Sequence, residues 1–326
     1  MSNFDSDKCF EVMKKLHNKI KDKVIDTIYH YTNVKGFKGI VESNEIWMTN
    51  TLFVNDKTEL RSLLQGSDVF KSVEFKNPKL FDAFKDKPRE YGQEYTQNYY
   101  LASFSKGSNS LDQFRAYGNY CIGIDAKMLK KNSFSLFRCV YSQRDIKRWV
   151  VRQDNLKEWK NECFNDIKSE IYKDGAFAHI PYAARAKLKN KHYKSEKEIR
   201  LFVMANLSWE SFPNSPEMFC DQPAIYFRNH NMFNAPVPYV KFFIPKNPKT
   251  RVELQKMVKN KSQIETKRII RAMEMEQERE LLPIKNIIIG PMQHQEEAVL
   301  AAKMFLYENG YENVEVKRSD IPFRGN

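Results

Sequence analysis

Cysteine is scarce: Cys9, Cys121, Cys139, Cys163 and Cys220 are the five in 326 residues, with no Cys-x-x-Cys and no adjacent histidine pair. That spacing supports neither a zinc knuckle nor a disulfide framework, so reduced thiols in a cytoplasmic protein are expected, with no metal. Long apolar runs are missing too. A membrane span needs roughly 18 to 20 apolar residues, and stretches such as 201–205 break off within a few positions. Residues 1–8 carry neither a basic start nor an apolar segment, so a secretory signal is not expected. Glycine numbers only 11, and Gly290-Pro291 lacks the continuation that a phosphate-cradling loop requires. A doubly wound dinucleotide fold is therefore unsupported.

What is present is apolar bulk and positive charge. Hydrophobic residues make up 41% and aromatics 13%, enough to pack a core. Lysine and arginine total 54 against 41 acids, a formal charge of +13. Such an excess suits an anionic partner, either nucleic acid or a phosphate-bearing small molecule.

Hydrophobic periodicity predicts a leading helix over 1–22, a strand over 24–31, a helix through Phe37, Ile40 and Val41, and a strand at 45–48. Residues 56–98 read as charged and helical, broken at Pro78 and Pro88. Strands at 99–104 and 120–124 flank a helix at 111–117, and another strand covers 134–141. Residues 144–191 read as a basic helical insertion. Later strands are expected at 199–204, 224–228, 239–243, 284–289 and 314–316, with a charged, solvated helical insertion over 251–281 and a helix ending near Tyr307. Strands scattered along the whole chain imply one α+β domain, 1–326, with helical insertions.

Three groups of residues could carry chemistry. In Tyr29-His30-Tyr31-Thr32, at the end of an early strand, a histidine can hold a ribose hydroxyl while flanking aromatics offer stacking surfaces. In Asn55-Asp56-Lys57-Thr58-Glu59, the polar groups either cap the next helix or wall a site beside His30. In Glu196-Lys197-Glu198, a regular strand would put both carboxylates on one face, able to stabilise a cationic centre and activate an acceptor. Arg185, Lys187, Lys189 and Lys191, interleaved with aromatics, suit a phosphate backbone, although such runs also form plain solvated faces.

Taken in order, Tyr29 to Thr32, Trp47 to Asn50, Asn55 to Glu59, Ser103 to Ser105, Phe114 to Gly118, Glu196 to Arg200, Ile287 to Pro291 and Ser319 to Arg324 resemble the bacterial family called domain of unknown function 2971. More distantly, His30-x-Thr32 on a first strand resembles the opening of ADP-ribosyltransferases of the diphtheria-toxin and poly-ADP-ribose polymerase type, and Glu196-x-Glu198 resembles the signature of arginine-directed transferases. That resemblance implies an ADP-ribosyltransferase-like strand core and NAD as a consumed substrate. By the same resemblance, His30, Tyr31, Thr32, Asn55 and Tyr117 hold NAD, and Glu198 is the catalytic carboxylate with Glu196 and His30 beside it. It further implies a toxin or antiphage effector acting on nucleic acid or protein, with a restraining partner protein. An NAD glycohydrolase and a non-enzymatic nucleic-acid-binding module are the alternatives.

Overall fold

A computed structural model describes residues 26–54, 76, 99–129, 135–154, 187–205, 220, 222–230 and 234–323. The expected leading helix, the stretch 56–98 and most of the basic segment 144–191 lie outside these residues. The chain gathers into two compact units interleaved in sequence. The larger comprises 24–50, 98–136 and 195–326, and the smaller 1–23, 51–97 and 137–194.

The larger unit is α+β, built on one mixed, mostly antiparallel sheet. Its strands are β1 (Thr27–Thr32), β2 (Ile46–Asn50), β3 (Tyr99–Ser105), β4 (Tyr120–Asp125), β5 (Ser135–Arg138, which begins in this unit), β6 (Glu198–Met204), β7 (Ile225–His230), β8 (Ala235–Phe242), β9 (Ile284–Ile289) and β10 (Glu315–Arg318). The order is β10-β9-β4-β1-β3-β2-β8-β7, with β6 joined to β3 and β5 to β6. β9 and β10 run parallel. The pivot is β3. It meets β6 along its whole length, β1 near Ser105 and β2 near Tyr100 and Leu101. The first and second strands therefore diverge along β3.

Strand alternation sorts the side chains onto two faces. Ile28, Met48, Phe104, Ile122, Ile199 and Leu201 belong to the main core. Helices α1 (Val34–Ser43) and α6 (Gln295–Glu308) contribute Phe37, Ile40, Val41, Ala302 and Leu306 to it. Asn33 caps α1 by accepting from the Gly36 amide at 2.9 Å, and Asn44 ends it in the left-handed region at φ 53°. On the second face, Tyr31, Cys121 and Ile288 pack with Phe114 from α2 (Leu111–Tyr117). Gly118 closes α2 at φ 117°, and a Cβ there would lie 2.6 Å from the Asn33 Cα, so only glycine lets this turn approach β1.

The 251–281 segment is helical and mostly exposed or half-buried, as a charged solvated face requires. It forms α4 (Arg251–Val258) and α5 (Gln263–Glu276), each opened by a capping box, Thr250 with Glu253 and Ser262 with Glu265. Ile270 of α5 packs on Ala224, Tyr226 and Tyr239, so α5 covers part of the second face. Prolines 236 and 238 are accommodated in β8 because they lie beyond its pairing with β2, which spans 239–242.

In the smaller unit, α3 (Gln143–Asp154) is described, and Val140 bridges to Leu188 in parallel.

Candidate active site

The second face gathers polar side chains from strands distant in sequence. Ser105 pairs with Tyr29 of β1 on one side and Glu198 of β6 on the other, and Ser103 pairs with Arg200. Tyr29, Tyr31, Ser103, Ser105, Glu198 and Arg200 thus share this face. Glu198 and Arg200 are 4% and 0% exposed, and the guanidinium grips the carboxylate side-on, Nε to Oε1 and Nη2 to Oε2, each at 3.0 Å. The Ser103 hydroxyl donates to Glu198 Oε1 at 2.6 Å. A fork of this kind is among the strongest polar contacts a protein makes, and burial makes it intolerant of losing either partner.

A loop is tied to this cluster. The Ser105 hydroxyl donates to the Glu196 carbonyl at 2.7 Å and accepts from the Gly107 amide at 3.0 Å. Tyr31 donates to the Gly107 carbonyl at 2.9 Å and accepts from the Ser110 amide at 3.2 Å. Burial holds the Tyr31 phenol well above its ordinary range and pushes the neighbouring Cys121 thiol up to about 12. Both therefore stay protonated at neutral pH. The chain's far end joins in, because Ser319 donates to Asn109 Oδ1 at 2.6 Å and the Asn109 amide donates to Asp320. A Cβ at Gly290 would lie 2.5 Å from the Phe114 ring, so this glycine seats α2 against β9.

His30 does not belong to this face. It sits between Tyr29 and Tyr31, so alternation turns it to the core face, beside the Phe104 ring at 5.5 Å. Its Nδ1 donates to the Ser103 carbonyl at 3.0 Å, and desolvation lowers its pKa, favouring the neutral ring. Thr32 follows it, packed where a Cβ on Gly36 of α1 would collide with its hydroxyl. The expected meeting of His30 with Glu198 is therefore corrected: β3 lies between their strands, and the two side chains belong to opposite faces.

The shared strand face of Glu196 and Glu198 is also corrected. Glu196 ends a short 3-10 segment, Lys191–Glu196, and Lys197 turns the backbone at φ 46° before β6 starts at Glu198. Tyr117 is exposed at the end of α2. Asn55 and Arg185 lie outside the described residues. In the smaller unit Lys187 and Lys189 are buried, not displayed to a phosphate backbone: the Lys187 ammonium lies 5.3 Å from the Phe137 ring and 5.4 Å from Trp149, and Lys189 lies 5.0 Å from Tyr193. Lys191 is exposed.

Sequence reasoning missed Arg200, Ser103 and Ser105 as parts of the site. The signal was there, since Glu198-x-Arg200 and Ser103-x-Ser105 both have the period of two that aligns side chains on a strand. No protein-family model, curated protein or solved structure matches this chain. Among the described residues no helix is long and apolar enough to cross a membrane.

Proposed function

We propose that the protein is an NAD-consuming transferase of the ADP-ribosyl type, a toxin or defence effector whose reacting carboxylate is Glu198. The reading rests on one observation. A strand-borne carboxylate is desolvated and held rigid by Arg200 and Ser103, on the sheet face that also carries Tyr29 and Tyr31. Preorganised negative charge of this kind is worth most where positive charge develops in the transition state. The bond between ribose C1′ and the nicotinamide nitrogen breaks, and its electron pair leaves with nicotinamide. A nucleophile then adds to the ribosyl carbon and gives up its proton. The ribose contact first given to His30 passes to the second face beside Tyr29, because the Tyr31 and Ser105 hydroxyls are engaged by the 105–110 loop and the Glu196 carbonyl.

A binding module without turnover is the second reading, favoured by the near-complete burial of Glu198 and Arg200. Incubation of purified protein with adenylate-labelled NAD, alone and with RNA, DNA and cellular protein, separates the two. The transferase predicts nicotinamide release and label transfer, with free ADP-ribose if water is the acceptor. Glu198→Gln, compared at matched folded fraction, should lose at least a hundredfold in release, about 3 kcal/mol of transition-state stabilisation. No release by the parent, or undiminished release by Glu198→Gln, overturns the assignment.

A further inference from the structure

A second cluster occupies the same face on the other side of β3, where β2, β8 and β7 lie side by side. Trp47 stacks on Tyr239 at 4.5 Å and still leaves 44% of its surface exposed. Tyr239 in turn lies 5.7 Å from Tyr226. Cations lie over these rings: Arg228 at 5.6 Å from Trp47 and 5.7 Å from Tyr239, Lys241 at 4.6 Å and Arg271 at 4.9 Å from Tyr226.

The cations are not equally matched. Lys241 and Arg279 both pair with the buried Glu45 carboxylate, at 3.0 and 2.6 Å. Arg228 is half-buried, and its one hydrogen bond goes from Nη2 to the Thr49 hydroxyl at 2.8 Å. Its Nε is buried with no acceptor, and no carboxylate among the described residues faces it. A partly desolvated guanidinium without a counter-charge, beside a half-open indole, is matched by a ligand that brings both an anion and a flat ring.

We propose that this cluster is a binding site for single-stranded nucleic acid, with an unstacked base on Trp47 and a phosphate on Arg228. An acidic peptide could supply the anion but leaves Trp47 without a stacking partner, and the chain's +13 charge favours a polyanion. The lysines at 187 and 189, being buried, do not compete for this role. Thr49 pairs with Leu101, two residues along β3 from the Ser103 that holds Glu198, a separation of about 7 Å. A strand bound here passes beside the Glu198 network and would hold the acceptor; that role, unlike the binding itself, rests on the transferase reading.

The test measures binding without NAD. A fluorescent twelve-nucleotide single-stranded RNA, and the matching DNA, are titrated by anisotropy against the parent, Trp47→Ala, Trp47→Phe, Arg228→Gln and Lys303→Gln, with folding checked by circular dichroism. Lys303 is an exposed position on α6 and controls for the loss of one positive charge. Trp47→Ala and Arg228→Gln should weaken binding by about tenfold or more, while Trp47→Phe and Lys303→Gln stay within about threefold. The salt dependence should drop by about one ion in Arg228→Gln. Absence of saturable binding, equal affinities in Arg228→Gln and Lys303→Gln, or equally strong competition by polyglutamate overturns the site. Binding without nicotinamide release keeps this site and removes the transferase; release without binding does the reverse.

Discussion

Two glutamates are set against the same sheet face and neutralised in different ways. Glu198, on β6, is answered by a buried guanidinium and a serine hydroxyl. Glu274, on α5, has only the Ala224 amide at 2.8 Å and the Tyr226 hydroxyl at 3.0 Å. Burial pushes the Glu274 carboxyl up to about 7, against the partial relief those two hydrogen bonds give. The difference lies in what each environment provides. A strand partner two residues away delivers a full opposite charge at fixed geometry, whereas a helix laid over a sheet meets neutral donors. The first arrangement makes a fixed, buried ion pair, and the second a carboxyl that changes charge near neutrality.

Removing the guanidinium should break this contrast most severely. Arg200→Met leaves Glu198 buried and unpaired and should cost roughly 3–5 kcal/mol of stability in urea unfolding. The double variant Glu198→Leu/Arg200→Met should recover most of that loss, because apolar groups of similar volume replace the whole pair. If the single variant is as stable as the parent, the fork is solvated in solution and the preorganised carboxylate is lost with it.

The next effect is a pH dependence from Glu274. Its folded-state pKa is raised above the unfolded value, so the native state binds this proton more tightly. The stability it contributes is fully present below about pH 4.5 and is lost as pH rises through about 7. The contribution is on the order of 2–3 kcal/mol. The groups facing it act in both directions: Lys241 lowers the pKa, and Glu45 raises it. Glu274→Gln should flatten the parent's decline in urea midpoint between pH 5 and pH 8. An unchanged pH profile would mean that the carboxyl is hydrated and that the two glutamates do not differ as described.

Most of the fold was legible where one period dominates. The helix at 111–117 and the strand at 284–289 were expected at their observed bounds, because an amphipathic turn ended by Gly118 and an Ile-rich segment ending in Ile287-Ile288-Ile289 before Gly290-Pro291 each favour one reading. Glu198 was legible as a carboxylate entering a β-forming run, though not as a buried one. Its Ser103 partner was not, because that hydrogen bond depends on β3 and β6 being neighbours, a long-range fact no local pattern carries, whereas Arg200 stood two residues away on the same strand. The His30 error has the opposite origin. Alternation of side chains was applied to Glu196 and Glu198 but not across Tyr29, His30 and Tyr31, where it separates the histidine from the tyrosines. Lys197 then defeated the alternation where it was applied, since a left-handed residue resets the strand. The charged 251–281 segment was legible as helical and solvated, but the seating of Ile270 on Tyr226 and Tyr239 was not, because that contact joins residues distant in sequence.

The smallest expected effect isolates the helix that carries Glu274 from the carboxyl itself. Ser262 opens α5 by accepting from the Glu265 amide, and Glu265 answers by accepting from the Ser262 amide at 2.8 Å. Ser262→Ala removes one half of this exchange and should destabilise the protein by about 1 kcal/mol. Its pH behaviour should differ in sign from that of Glu274. The Glu265 carboxyl is held below its ordinary value by the Ser262 backbone and hydroxyl, so its contribution is present at neutral pH and lost only on acidification. Urea midpoints of Ser262→Ala should therefore fall at pH 7, and by less once pH drops through the lowered Glu265 pKa, while the decline between pH 5 and pH 8 keeps the parent's shape. If that decline also flattens, the cap and Glu274 are one cooperative unit, and the helix, not the carboxyl's burial, governs the response.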